Sequence, residues 1–335
     1  MISVLAIAGT VHSIAVTKTI TVGNPGTSSP YDYYAAYDSG NNEVYVSNEG
    51  VATVSVISDS TNAVIATVPM RFSPGAIAYD YGKGELFVDN GGPTTTLGTV
   101  SVISDKTNTV VANVTVGTTP VGIAYDPSKG EIFVTNSGDQ PPDVSVISDS
   151  TNTVVATIPT QYEQGAGVAY GVAYDLAKAE IFVTHSGVNT VTVISDSTNT
   201  IIANISVGLT PEELAYDSRT GQLFVANTVD GTVSVISDST NQVVSTVTVG
   251  NGPFGVAYDP SKSEVFVTNA ADSTVSVISD SSSTSTPTAT ASSTPTTTPE
   301  FGSAALVSVA AAMAIVTLSA VVISRKKVEM TQKAK

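Results

Sequence analysis

The chain runs to 335 residues, room for one large domain or two of ordinary size, and it contains no cysteine and no tryptophan, with only 13% of its residues charged. Residues 1–299 hold 27 acidic and 8 basic side chains, a net of −19, whereas Arg325, Lys326, Lys327, Lys333 and Lys335 crowd the last eleven positions. Such a chain repels phosphate backbones, which excludes DNA and RNA as partners and favours cations or basic surfaces; without cysteine, no disulfide can brace it.

At the N-terminus, residues 2–15 are apolar enough for the central region of a signal peptide, but no Lys or Arg precedes them. Residues 1–15 are read as a truncated signal segment, the competing reading being a simple lead into the first strand. Residues 14–23 (IAVTKTITVG) then form a strand with no hairpin partner near it in sequence.

From there to residue 280 three signatures recur in fixed order. The first is Ala-Tyr-Asp, at Tyr37, Tyr79, Tyr125, Tyr174, Tyr216 and Tyr258. The second is an aromatic-Val-x-Asn segment ending at Asn48, Asn90, Asn136, His185, Asn227 and Asn269, with Leu-Phe or Ile-Phe preceding the Val in most copies. The third is VSVISD or its variant, starting at Val54, Val100, Val144, Val191, Val233 and Val275, at intervals of 46, 44, 47, 42 and 42 residues. A fourth segment of the AVIATVP or TVVANVTVG type follows the first five copies. Each is short, rich in β-branched and aromatic residues, and alternates in polarity, so each reads as a strand. Four strands joined by tight turns, repeated about every 42 residues, predict an all-β fold: a six-bladed β-propeller of four-stranded blades over residues 14–280. The sixth copy lacks its fourth strand, and the unpartnered N-terminal strand supplies one, closing the ring; a linear β-solenoid would need no such device.

Turn residues support the hairpins. In the SD-S-T-N turns, Asp59 and Asp149 are expected to accept backbone N–H groups, and Asn62 and Asn152 to take the left-handed conformation. Asp126-Pro-Ser-Lys-Gly130 turns the chain between first and second strands. Because Asp38, Asp80, Asp126, Asp175, Asp217 and Asp259 recur sixfold, they read as turn-formers rather than catalysts.

The aromatic-Val-Thr-Asn signature, with its Val-Ser-Val-Ile-Ser-Asp and Ala-Tyr-Asp-Pro neighbours, resembles the YVTN family of β-propeller repeat proteins. That family includes archaeal cell-surface and surface-layer proteins, and its propellers often have seven blades, which makes seven the alternative count here.

Beyond the repeats, residues 281–301 form a Ser/Thr/Pro-rich stalk ending in Pro299, Glu300 and Phe301. Residues 302–324 are uncharged and mostly apolar, long enough for a transmembrane helix. The basic residues 325–335 would stay in the cytoplasm by the positive-inside tendency, leaving the propeller outside. Pro-Glu-Phe before an apolar helix and a basic tail resembles the PEF-CTERM sorting signal of archaea. The resemblance implies an archaeosortase partner, removal of the helix and attachment to a surface lipid; a plain membrane anchor is the alternative.

Catalytic signatures are missing: there is no His/Cys ligand spacing, phosphate-binding glycine loop or G-x-S-x-G elbow. His12 lies in the signal segment, and His185 stands where other copies have Asn. No metal and no cofactor are expected, and Asn113 and Asn204 are glycosylation acceptors. Function is sought where the copies differ. The second-to-third loop is five residues long in four copies but nine in the second (91–99, with Thr94 and Thr95) and seven in the third (137–143, with Asp139, Gln140 and Asp143). The connections carrying Tyr31, Tyr33 and Tyr34, and Tyr162 and Glu163, share that face. The expected function is non-enzymatic binding of a surface protein or glycan at a cell surface. An extracellular hydrolase or lactonase and a spacer in a surface lattice are the rivals, the enzyme disfavoured by innermost strands that look nearly identical.

Overall fold

The computed structural model describes residues 20–22, 34–91, 97–139, 141–160, 167–260 and 262–279. The signal segment, the stalk with Pro299, Glu300 and Phe301, the apolar run and the basic tail lie outside the described residues. Among the described residues no helix is long and apolar enough to cross a membrane.

Six antiparallel sheets follow one another along the chain. Blade one consists of Ala35–Asp38, Glu43–Asn48, Thr53–Ser58 and Ala63–Pro69, with a short 3-10 turn at Glu49–Val51. Blade two is Ser73–Asp80, Glu85–Gly91, Leu97–Ser104 and Thr109–Thr118, and blade three is Pro120–Asp126, Glu131–Asn136, Asp143–Ser148 and Thr153–Pro159. Ala169–Asp175, Glu180–His185, Thr190–Ser195 and Thr200–Ser206 make blade four. Pro211–Asp217, Gln222–Asn227, Thr232–Ser237 and Gln242–Thr248 make blade five. Blade six has three strands, Pro253–Asp259, Glu264–Asn269 and Thr274–Ser279. The fold is thus an all-β propeller of six blades, each an up-and-down meander, and consecutive first strands pack side by side around the centre.

The cores lie in the seams between blades. On each outer strand, alternate apolar residues point inward onto three side chains of the next blade. Val114 and Val116 rest on Ile132, Val134 and Ile147; Ile205 and Val207 rest on Leu223, Val225 and Ile236. Ile20 and Val22 occupy the matching place on Val44, Val46 and Ile57 of blade one. The N-terminal segment therefore fills the seam that the outer strand of blade six would fill, as the closing-strand reading requires. Its hydrogen-bonded pairing is another matter: the described part of the sixth sheet has 3 strands, not four. Second strands are sandwiched on both faces, with Ile132, Phe133 and Val134 wholly buried, each such side chain contributing about 1.5–3 kcal/mol.

The turns follow the sequence closely. Asn62, Asn108, Asn152, Asn199 and Asn241 all have φ between 50° and 54°, a conformation asparagine tolerates better than most residues. The first-strand aspartates accept the backbone N–H two residues on, at Gly40, Gly82, Ser128, Ala177 and Arg219, over 2.7–2.8 Å. Their sixfold recurrence is a turn requirement, as expected.

The third-strand aspartates, expected in their own turns, also reach other strands; Asp105 accepts both from the backbone of Lys106 and from a tyrosine. Asp59 accepts from the Tyr37 hydroxyl at 3.1 Å, Asp105 from Tyr79 at 3.1 Å, Asp196 from Tyr174 at 3.2 Å and Asp238 from Tyr216 at 2.8 Å. Burial, together with these neighbouring carboxylates, raises the Tyr37 pKa to about 12 and drives those of Tyr79 and Tyr216 higher still. Lysines from the preceding blade's first turn neutralise the same carboxylates. Lys129 Nζ stands 2.8 Å from Asp196 Oδ1 and Lys178 Nζ 3.0 Å from Asp238 Oδ1, while Lys83 donates to the Asp149 carbonyl. Blade one has Asn41 where blades two, three and four have Lys83, Lys129 and Lys178; there Lys106, next to Asp105, supplies the charge.

Candidate functional site: the mouth of the central channel

Second-to-third loops and inter-blade connections share one face and are hydrogen-bonded to each other. Ser137 N donates to Thr119 O, Ser186 N to Val168 O, Thr228 N to Thr210 O and Ala270 N to Gly252 O. The first strands begin at this face, so the residues two and three places before Ala-Tyr-Asp surround the opening of the channel.

The residue between Val and Asn in the second strand organises that opening. Thr135 Oγ1 accepts from Gly122 N at 2.9 Å and donates to the carbonyl of Tyr170 in the next blade at 2.6 Å. Thr184 repeats this with Gly171 N and Glu212 O. Blade five has Ala226 there, and Thr228, two residues on, donates to Pro253 O instead. These hydroxyls staple blades three, four and five to their successors. Thr135→Val should therefore leave a buried N–H and a carbonyl without partners and lower unfolding free energy by about 1–3 kcal/mol in urea titrations.

Because the staples draw the blades close, the position two before the motif is small in four copies, Ala76, Gly122, Gly171 and Gly255. A Cβ on Gly171 would come 2.7 Å from Glu212 O and 3.1 Å from Glu213 Cα. The other two copies carry Tyr34 and Glu213, which meet near the centre of the ring: Tyr34 Oη donates to Glu213 Oε1 at 3.2 Å, linking blades one and five. One position earlier, blades four, five and six carry Tyr170, Glu212 and Phe254, and the rings of Tyr170 and Phe254 pack edge to face with centroids 5.8 Å apart. Tyr34, Tyr170, Glu212, Glu213 and Phe254 are all part-buried. Among the described residues, two carboxylates and three aromatic rings thus line one side of the mouth, and Gly75, Ala76, Val121 and Gly122 the other.

This group was missed by reading the innermost strands as near-identical. Of the residues expected on the ligand face, Tyr34 joins it. Asp139 does something else: its Oδ1 accepts from Thr118 Oγ1 at 2.7 Å and its Oδ2 from Thr118 N at 3.0 Å, a loop clamp repeated by Asp230 on Leu209 N and Asp272 on Asn251 N. Asp143 opens a third strand and accepts from Asn136 Nδ2 at 2.6 Å, and burial raises its pKa despite that bond. Tyr31, Tyr33, Thr94, Thr95, Gln140, Tyr162 and Glu163 lie outside the described residues. The long loop of blade two is shorter than its sequence suggested, because the third strand starts at Leu97 and pairs with Thr118. Asn113 and Asn204 are exposed on outer strands, their Oδ1 atoms accepting from Ser101 and Thr192 at 2.8 Å.

Asp126, Glu131 and Asp196 bring carboxylate oxygens within 4.8 Å of one another, but the Lys129 ammonium is already bound there. His185 is fully buried, and desolvation lowers its pKa to about 4, so it is neutral.

No protein-family model matches the chain, and no curated protein matches it. Solved structures do match. One is a chain of Kuenenia stuttgartiensis hydrazine synthase, 16% identical, with a TM-score of 0.53 over 77% of this chain and 98% of that one. At that identity the likeness bears on architecture alone, and architecture and comparison agree on a six-bladed β-propeller.

Proposed function

We propose that this propeller is a non-enzymatic recognition domain displayed outside the cell, binding a protein or glycan partner through the loop-rich face. The observation that carries the reading is where the copies depart from the repeat: the Tyr34–Glu213 and Tyr170–Phe254 pairs stand at the channel mouth on that face. The opposite face repeats the same Tyr-Asp and Asx-turn contacts blade after blade. Propellers host many functions, so this reading is argued from the site and not from the fold.

Surface display is supported by the order of segments after residue 280: a Ser/Thr/Pro stalk, a long uncharged apolar run and a basic end. The YVTN-type repeat and the Pro299-Glu300-Phe301 junction favour an archaeal surface protein, anchored by the helix or by a lipid after sorting. Asn113 and Asn204, exposed in Asn-x-Thr and Asn-x-Ser contexts, are the proposed glycan carriers.

The test is binding of purified propeller to cells and to a glycan array, with and without residues 92–96 and the pair Asp139–Gln140. Trimming both loops should reduce binding at least tenfold, beyond the effect of Asp139→Ala alone, which removes only the clamp on Thr118. Undiminished binding would remove the loop-rich face as the recognition surface.

A further inference from the structure

Charge is divided unequally between the two faces. Seven Lys and Arg residues are described, and six of them, Lys83, Lys106, Lys129, Lys178, Arg219 and Lys262, sit in turns of the face opposite the channel mouth. The seventh, Arg71, lies on the mouth side, stacked over the Phe72 ring at 5.1 Å. That side also carries Glu49, Asp139, Asp143, Glu212, Glu213, Asp230 and Asp272. The acidic groups of the far face are matched by its lysines and tyrosines; on the mouth face Asp139, Asp230 and Asp272 accept from backbone amides, Asp143 from an Asn side chain and Glu213 from a tyrosine hydroxyl, neutral donors all.

At the centre of this field two carboxylates stand among aromatic rings. Tyr170, Glu212 and Phe254 come from equivalent positions of three successive blades, so the position of the acid lies between those of the two rings in the ring of blades, with the Glu213–Tyr34 pair one place further along the strand. Aromatic faces carry negative quadrupole charge and attract cations, an attraction that strengthens where water is partly excluded. The edge-to-face packing of Tyr170 on Phe254 gives no flat platform of coplanar rings for a sugar. From this geometry we infer that the channel mouth is a binding site for an organic cation, an alkylammonium or guanidinium group carried by a free amine or by a Lys or Arg side chain of the partner. The ligand's charge sits between Glu212 and Glu213, and its alkyl stem lies on Tyr170, Phe254 and Val121. The inference rests on the loop-rich face being the recognition surface and names the chemistry of what it takes.

Calorimetric titration of the folded propeller with spermidine, with an acetylated arginine amide and with maltose tests it. Both cations should bind, with an affinity that falls as salt rises; the tighter of the two identifies the source of the charge. Glu213→Gln, which keeps an acceptor for Tyr34, and Tyr170→Ala should each weaken binding at least tenfold, while Glu49→Gln, in a loop of the same face, should change it less than twofold. Equal weakening by Glu49→Gln and Glu213→Gln would show diffuse attraction and overturn the site, as would maltose binding where neither cation does. If loop trimming abolishes partner binding while Glu213→Gln leaves it intact, the cation site fails and the recognition face stands. If neither change matters, the recognition face fails as well.

Discussion

Gly122→Ala should destabilise the propeller by about 2–3 kcal/mol, and the equivalent Gly171→Ala in the next blade by a similar amount. Neither glycine is there for a left-handed backbone; each is there because of what stands against it. A methyl on Gly122 would overlap the carbonyl oxygen of Tyr170 in blade four and press on Thr135 Oγ1 at 2.9 Å. Those atoms belong to the staple that joins blades three and four, so relief of the clash must lengthen the Thr135–Tyr170 bond or part the seam. A methyl on Gly171 would come 2.7 Å from the carbonyl oxygen of Glu212 in blade five and 2.8 Å from Leu214 Cδ2, and that carbonyl is the one Thr184 staples. The small entropic gain from replacing a glycine offsets only part of such strain. Urea unfolding of the two variants measures the loss. Losses near zero would mean that the seams are not held at the distances the staples imply.

The same contacts show which parts of the protein were legible in the sequence. Blade count, strand identity and the turn roles of Asn62 and Asp126 came through because each rests on neighbours along the chain: an Asx turn spans three residues and a left-handed Asn spans one. The partners of Asp59 and Asp196 did not, since the hydroxyls they accept come from another strand and the ammonium beside Asp196 from another blade. Seam contacts of this kind have no local signature. The channel mouth is within reach of the sequence, but a repeat that begins at Ala-Tyr-Asp leaves its residues out of the alignment. Aligning the residues just before that motif, SPGAI, PVGI, AYGV, PEEL and PFGV, exposes Tyr170, Glu212, Glu213 and Phe254 at once. Their chemistry becomes readable only when Gly122 and Gly171 show how little room a side chain normally has there, which turns Tyr34 and Glu213 from loop variation into groups forced toward the centre. Asp139 illustrates the opposite error: its loop is unusual in length, yet its carboxylate makes the clamp that Asp230 and Asp272 make in ordinary loops.

The one departure at the asparagine that ends the second strand, His185, carries the sharpest pH signature among the described residues. His185→Asn should leave stability nearly unchanged at about pH 8 and raise it relative to the parent by about 3 kcal/mol at about pH 4 and below. Burial lowers the imidazole pKa from an ordinary value of 6.5 to about 4 in the folded state. A base whose folded pKa is depressed binds protons more readily when unfolded, so its contribution is intact above about pH 6.5 and is lost as pH falls toward the folded value. Carboxylates in the seams work the other way: burial raises the pKa values of Glu43, Glu85, Glu131 and Glu180, which favours the folded state as pH falls through their raised range. A pH profile of the parent alone would mix the two effects. The difference between parent and variant cancels the carboxylates and isolates one residue. Asparagine suits the site because its counterparts Asn136 and Asn227 donate to the hydroxyls of Ser145 and Ser234 at 2.9 Å, and Thr192 holds that place in blade four. Unfolding free energies of both proteins from pH 4 to 8 should therefore diverge only below about pH 6.5. Parallel curves would place a charged imidazole in the folded blade and require a solvated opening beside His185.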